Sequence, residues 1–322
     1  MTKLNPIFKT LFVACLALAS VSVARAQATR TWVSGVGDNA NPCSRTAPCK
    51  TLGHAVSMTA VNGEVNILDP GGYGNVQITK SITIDAHDAV GKSHVALGAT
   101  ILINYDLFAA SDTRKSVRLR NLNIQALNAG TRGIRIFSST PVPGTFVHIE
   151  DCVIDGAYGT PGRGIEDNRT GGGKLLITNT TIRNVGGTAI AHAPYSGADR
   201  IDITIDNVKI SNCLFGIAAS SGARIVVTNS VISDCTDAGL FVEGPLAPSD
   251  LHANNLVLNH NGTGLQQTAG GTIRIANSQI TNSTTNGTAG TVFSYGNNRT
   301  LGNAGVTTLT PVGADSHGKG QQ

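Results

Sequence analysis

Four side chains fall where three successive turns of a repeating chain would set them side by side: Arg135, Glu166, Asp167 and His192. Arg135 and Glu166 occupy equivalent places in successive repeats, as do Asp167 and His192 one step further along. Strands stacked at about 4.8 Å bring such equivalents into contact. A carboxylate next to an imidazole is a general acid–base pair, and an arginine beside it holds an anionic group of a ligand. Arg163, Arg169 and Tyr195 flank the four in long turns, and Phe241 stands outward on the same column. Long turns are where binding and catalytic groups concentrate. The plainer account of the same residues is a cross-strand ion pair worth under about 1 kcal/mol, with a turn hydrogen bond between Asp167 and His192. Asp155, Glu166 and Asp167 are also the acids that could hold a calcium ion, although no dense string of oxygen ligands appears.

The elements that must position these groups come from a phrase that recurs seven times between Val117 and Ile280. It reads apolar, any, apolar, any, Asn or Asp, any, any, apolar. Its fifth position is Asn121, Asp151, Asn179, Asn207, Asn229, Asn255 and Asn277, at separations of 30, 28, 28, 22, 26 and 22 residues. A fixed phrase at this period means stacked repeats. Within each phrase apolar and polar residues alternate, which is strand periodicity, and no long helical stripe occurs. A second short strand led by Gly or Ala follows, as in Gly133-Ile-Arg-Ile136 and Gly164-Ile-Glu-Asp167. Several short strands per repeat without a crossover helix describe the coil of a parallel β-helix. The Asn column is expected to be a structural ladder of buried amides bonding from coil to coil. Arg118 with His148, and Arg120 with Glu150, share columns on the first strand and are expected to be a solvated ladder.

The chain starts with Lys3 and Lys9, an apolar run from Leu11 to Val23 and the small-x-small string Ala24-Arg25-Ala26. That pattern is a cleavable export signal over 1–26, and the run is too short to span a membrane comfortably. Removing its three basic residues from 24 leaves 21 against 20 acidic ones, so the charge offers nucleic acid no footing. In an oxidising compartment Cys43 and Cys49 are expected to close a small disulfide loop. Cys213 and Cys235 both lie six residues after their ladder Asn, and form either a disulfide or two stacked buried thiols. No His stands at zinc-ligand spacing from the cysteines.

After this loop, Thr51 to Val61 carries Leu52, Ala55, Val56 and Thr59 on one face of a short helix, the natural lid for an open solenoid end. Lys50, Thr51 and Ala55, then Pro70-Gly71-x-Tyr73, then Lys80-Ser-Ile-Thr-Ile84 resemble the opening of pectin lyase-like right-handed β-helix proteins. That group includes pectin methylesterases, pectate lyases and polygalacturonases. The resemblance covers about residues 31 to 300 and implies the handedness of the coil. Polygalacturonase motifs are not intact, the nearest strings being Asn179-Thr-Thr, Glu150-Asp151 and Ala191-His192-Ala193. A fold of this kind hosts many functions.

The expected architecture is therefore all-β, a right-handed parallel β-helix of eight or nine coils. It divides into a signal (1–26), a disulfide loop with capping helix (27–63), the solenoid (64–300) and a C-terminal tail (301–322), of which Val312 to Gln322 reads as disordered. The expected function is an exported protein, periplasmic or extracellular, that binds or processes a polysaccharide, as a lyase, hydrolase or esterase on an acidic glycan. The alternative is a non-catalytic structural or adhesive β-helix. Neither reading calls for a cofactor apart from calcium, nor for a membrane span in the mature chain. Aromatic residues are 4% of the chain, which leaves few rings to stack on sugars, chiefly Phe241, Phe293, Tyr158 and Tyr195.

Overall fold

The computed structural model describes residues 27–87, 93–95, 101–126, 132–194 and 200–313. The export signal, Tyr195 and the end of the C-terminal tail lie outside these residues.

Among the described residues the repeated phrase builds two parallel sheets. The first has 12 strands in chain order, from Ala28–Val33 and Thr59–Ile67 through Ile82–Asp85, Ser116–Arg120 and Thr145–Glu150 to Thr310–Pro311. The second has 16 strands in two arms. One arm holds the second half of each phrase, such as Val153–Gly156 and Thr181–Arg183. The other holds the Gly-led strands, including Val76–Ile78, Ile101–Asn104, Arg132–Ser138, Arg163–Arg169 and Thr188–His192. The arms merge because Lys209–Ala219 and Val231–Val242 run unbroken through the corner between them. Every strand pairing among the described residues is parallel, and the chain forms a right-handed parallel β-helix of about seven turns.

Alternation fixes the core. Val117, Val147, Leu175, Ile203, Ile225, Leu251 and Ile273 stack in register on the first sheet and are all buried. Ile134, Ile165, Ile190, Ile217, Leu240 and Leu265 do the same on the Gly-led arm. Each such residue removed from water contributes about 1.5–3 kcal/mol of hydrophobic free energy before chain entropy is counted. The leading glycine is dictated by the stack: at Gly164 a Cβ would meet the Ala189 carbonyl oxygen at 2.5 Å.

The Asn column has a different physical basis from the one expected. All seven residues have left-handed φ, between 49° and 58°, where Asn and Asp are tolerated and other side chains are costly. Asn179, Asn207, Asn229, Asn255 and Asn277 are exposed, and the side chain that is buried at the bend is the next one, such as Cys152, Thr180, Val208 or Leu256. The amide bonds run along the outside of the corner, from Asn207 Nδ2 to Asn179 Oδ1 and from Asn255 Nδ2 to Asn229 Oδ1, both 2.8 Å. Three times the chain slips by one residue: Asn121 donates to Asp85, Asn229 to Asp206 and Asn277 to Asn254. Five residues further on lies a second left-handed column, Asn184, Asn212, Asp234, His260 and Asn282.

The helical lid spans Leu52–Met58, with Thr51 as N-cap and Leu52, Ala55 and Val56 buried. It ends earlier than expected because Thr59 turns extended and opens the strand Thr59–Ile67. Cys43 and Cys49 are disulfide-bonded, and Cys213 and Cys235, in register at the merged corner, form a second disulfide. Cys152 is buried and belongs to neither. Within the expected tail, Arg299–Leu301 and Thr310–Pro311 still pair with the sheets.

Candidate functional site

Strands Arg132–Ser138 and Arg163–Arg169 lie in register, with Glu166 opposite Arg135 and Arg163 opposite Arg132. Because Ile134 and Ile165 point inward, Arg135 and Glu166 point out. Arg132 Nε donates to Glu166 Oε2, Arg135 Nε lies 3.5 Å from the same oxygen, and Arg163 Nε lies 3.8 Å from Oε1. Three guanidinium groups thus share one carboxylate. Glu166 is 7% exposed beneath them, whereas each arginine keeps about a quarter of its side chain in solvent.

Neighbouring groups fix the arginines. Arg135 Nε donates to Asn168 Oδ1 at 3.2 Å, and its guanidinium lies 4.8 Å from the centroid of Phe137. Asn168 is itself held by donating to the Ala193 carbonyl at 2.8 Å. Arg163 donates to Thr188 Oγ1. Burial pulls the Arg163 guanidinium below its ordinary range; Glu166 opposes this and Arg132 adds to it. Beside the cluster is a hollow of about 280 Å³ lined by Asn75, Gln77, Leu102, Arg132 and Arg135.

The outward column through this cluster runs Gln77, Leu102, Arg135, Glu166, Ala191, Ala218, Phe241, Gln266. Two alanines, Ala191 (buried) and Ala218, separate the charged cluster from Phe241, whose ring packs 5.4 Å from that of Phe215. Four coil steps separate Arg135 from Phe241, about 19 Å at β spacing.

Asp167, His192 and Arg169 correct the sequence reading. They are not on this face at all. Asp167 sits between outward Glu166 and outward Asn168, so strand alternation turns it into the core, in the column of Ile136 and Ala219. Asp167 is 0% exposed, Arg169 0% and His192 1%. Arg169 grips Asp167 with Nε to Oδ1 at 2.9 Å and Nη2 to Oδ2 at 2.6 Å, and donates from Nη1 to Thr145 Oγ1 at 2.8 Å. The ring of Tyr105 lies 5.9 Å from the guanidinium. Burial pushes the Asp167 carboxyl up, but the Arg169 charge and bonds, with His192, carry it below its usual range. Burial pulls His192 down against the opposing pull of Asp167, which leaves a neutral ring whose Nε2 donates to the Ser221 carbonyl at 3.1 Å. Nothing the size of a polymer reaches these groups, so they cannot serve it as acid, base or anion clamp.

The acids expected for calcium do not converge either. Glu166 faces out, Asp167 faces in, and Asp155 is held by Arg183 at 2.8 Å and Asn184 at 2.7 Å. The one metal-spaced group among the described residues, Cys43, Cys49 and His54, has both thiols in a disulfide. Arg132 was missed in the sequence. It could have been found as the register partner of Arg163, one phrase earlier.

The family described as right handed beta helix region matches residues 148–304. No curated protein matches the sequence. Two solved structures share its fold. One is pectate lyase Pel9A, with a TM-score of 0.52 at 14% identity, over 88% of this chain and 76% of that one. The other is the GH136 lacto-N-biosidase from Eubacterium ramulus, with a TM-score of 0.51 at 10% identity, over 95% of this chain and 70% of that one.

Proposed function

We propose that this chain, a right-handed parallel β-helix similar in fold to pectate lyase Pel9A, binds an acidic polysaccharide along the outer face of the Gly-led sheet. The observation that carries the reading is the cluster of Arg132, Arg135 and Arg163 around the single carboxylate of Glu166. Its guanidinium groups are partly desolvated, and Arg135 and Arg163 are fixed by Asn168, Phe137 and Thr188. Planar guanidinium groups pair bidentately with carboxylates, so a uronate group is a fitting guest. Further along the same column the Phe241–Phe215 pair offers a sugar an apolar contact. The fold supports a carbohydrate role, since both similar structures are named for action on carbohydrate.

Turnover is the second reading, and the position of Asp167 and His192 in the core weighs against it. The acid–base pair that would have served it is committed to packing. On the favoured reading the protein is exported through its amino-terminal signal and meets its glycan in the periplasm or outside the cell. The test is calorimetric titration of the mature protein with polygalacturonate, alginate and a neutral dextran. Binding of the two acidic polymers that weakens as salt is raised supports the reading. Equal affinity for dextran, or no binding to either acid, would overturn it, and release of unsaturated or reducing ends would favour turnover.

A further inference from the structure

The first sheet carries a second charged cluster on its own outer face, away from the groove above. Thr83, Arg118 and His148 stack in register on three successive strands. Arg118 does not pair with its register neighbour. It reaches diagonally to Glu150, donating to Oε2 from Nε at 3.0 Å and from Nη2 at 2.6 Å. His148 Nδ1 lies 3.3 Å from the same oxygen, and its Nε2 lies 3.4 Å from Thr178 Oγ1. Arg120, beside Glu150 in register, pairs instead with Asp85 at 2.8 Å.

This cluster forms one wall of a cavity of about 310 Å³, within the range of small-molecule sites. Arg114, Arg118 and His148 line it together with Asn62, Thr83 and Phe146. The nearby acid, Glu150, is already held by Arg118 and His148, and it is not part of the lining. Arg114 is exposed and has no carboxylate partner among the described residues. The cleft therefore presents cations, hydroxyl and amide groups, and one aromatic side chain, with no acid facing in.

We propose that this cleft is a binding site for a single anionic sugar unit. Its carboxylate lies between Arg114 and Arg118, its ring lies against Phe146, and its hydroxyls bond to Asn62 and Thr83. Size separates this site from the groove of the proposed function: it takes a monosaccharide, not a polymer. The arrangement also makes binding pH-dependent. Burial holds the free His148 imidazole below its ordinary value of 6.5; Glu150 and Asp151 oppose this, while Arg118 and Arg120 reinforce it. The following strand adds Thr178 and, in register with Phe146, Lys174. An anion placed against this ring favours its protonated form, so binding takes up a proton and tightens as pH falls below the ordinary histidine range.

The experiment is calorimetric titration of the full mature chain with galacturonate, galactose and galactose 1-phosphate at about pH 5.5 and about pH 7.5. Galacturonate is expected to bind several-fold more tightly at the lower pH, and galactose not at all. Arg114→Ala, at an exposed position, should weaken galacturonate about tenfold. His148→Gln should keep the binding but lose its pH dependence. A variant lacking Arg132, Arg135 and Arg163 should keep the pH-dependent galacturonate binding that Arg114→Ala weakens, which separates this site from the polymer groove. Absence of galacturonate binding, an unaffected Arg114→Ala protein, or a pH dependence that survives His148→Gln would overturn the proposal. Tighter binding of the sugar phosphate than of galacturonate would overturn the assignment to a carboxylate.

Discussion

Asp167 and Arg169, two residues apart on one strand, meet inside the solenoid as a bidentate pair, with Nε to Oδ1 at 2.9 Å and Nη2 to Oδ2 at 2.6 Å. Asp167 stands in register with the core residue Ile136, and Arg169 with the buried Ser138. With Thr145 and the Lys174 carbonyl as further acceptors, the guanidinium tethers the Gly-led arm to the first sheet through the interior. The pair is a fastening of the fold.

Removing one member should therefore unfold rather than inactivate. Breaking a buried ion pair by deleting one partner costs about 3–5 kcal/mol, so Asp167→Ala should lower the urea midpoint markedly. The folded fraction should still bind acidic glycan. Normal stability with lost binding would put Asp167 back among the functional groups.

The same pair sets an acid limit. The folded Asp167 carboxyl lies below its ordinary value of 3.8, so its stabilisation is present above about pH 4 and is lost as pH falls through the folded value. Acid titration of unfolding free energy should show a steep loss below about pH 4, and Asp167→Asn should flatten it. An unchanged slope in that variant would contradict the assignment.

His192 acts in a higher window. Its imidazole is held below 6.5 in the folded protein, so the unfolded chain takes up protons first and stability falls as pH drops below 6.5. Substitution by Gln should reduce this slope. Part of it should remain, because burial pulls His148 and His252 in the same direction. If the slope is the same in His192→Gln, the ring is not buried neutral as described.

The repeat phrase made the coil readable because stacking forces the same residue types into the same places. Val117, Leu175 and Ile273 are apolar at one position for one reason, and a single strand period predicts them all. The functional face was only half readable. Arg135 and Glu166 could be placed outward from the alternation of Ile134 and Ile165, but the same alternation puts Asp167 inside, and chemistry was read there in place of geometry. A charged residue in a core column looks like a site until its inward partner is known, and Arg169 became that partner only through the fold of one strand. The Arg118–Glu150 contact was hidden for another reason: it is diagonal, whereas stacking alone pairs Arg118 with His148.

The ladder gives a test of backbone origin. Asn207 has φ 52° and its amide is exposed, so Asn207→Gly should cost less than Asn207→Ala. The alanine variant should lose about 1–2 kcal/mol for left-handed backbone. Equal losses in thermal or urea unfolding would assign the column to amide bonding instead.

The most direct test of the central claim is the affinity of the Arg132→Ala, Arg135→Ala, Arg163→Ala triple variant for polygalacturonate at fixed salt and pH. The cluster account predicts at least a tenfold loss (about 1.4 kcal/mol) with circular dichroism and melting temperature near those of the parent, since Glu166 is close enough to the surface to take water in place of its lost partners. Unchanged affinity in a folded triple variant would contradict it and move the polymer site away from this face.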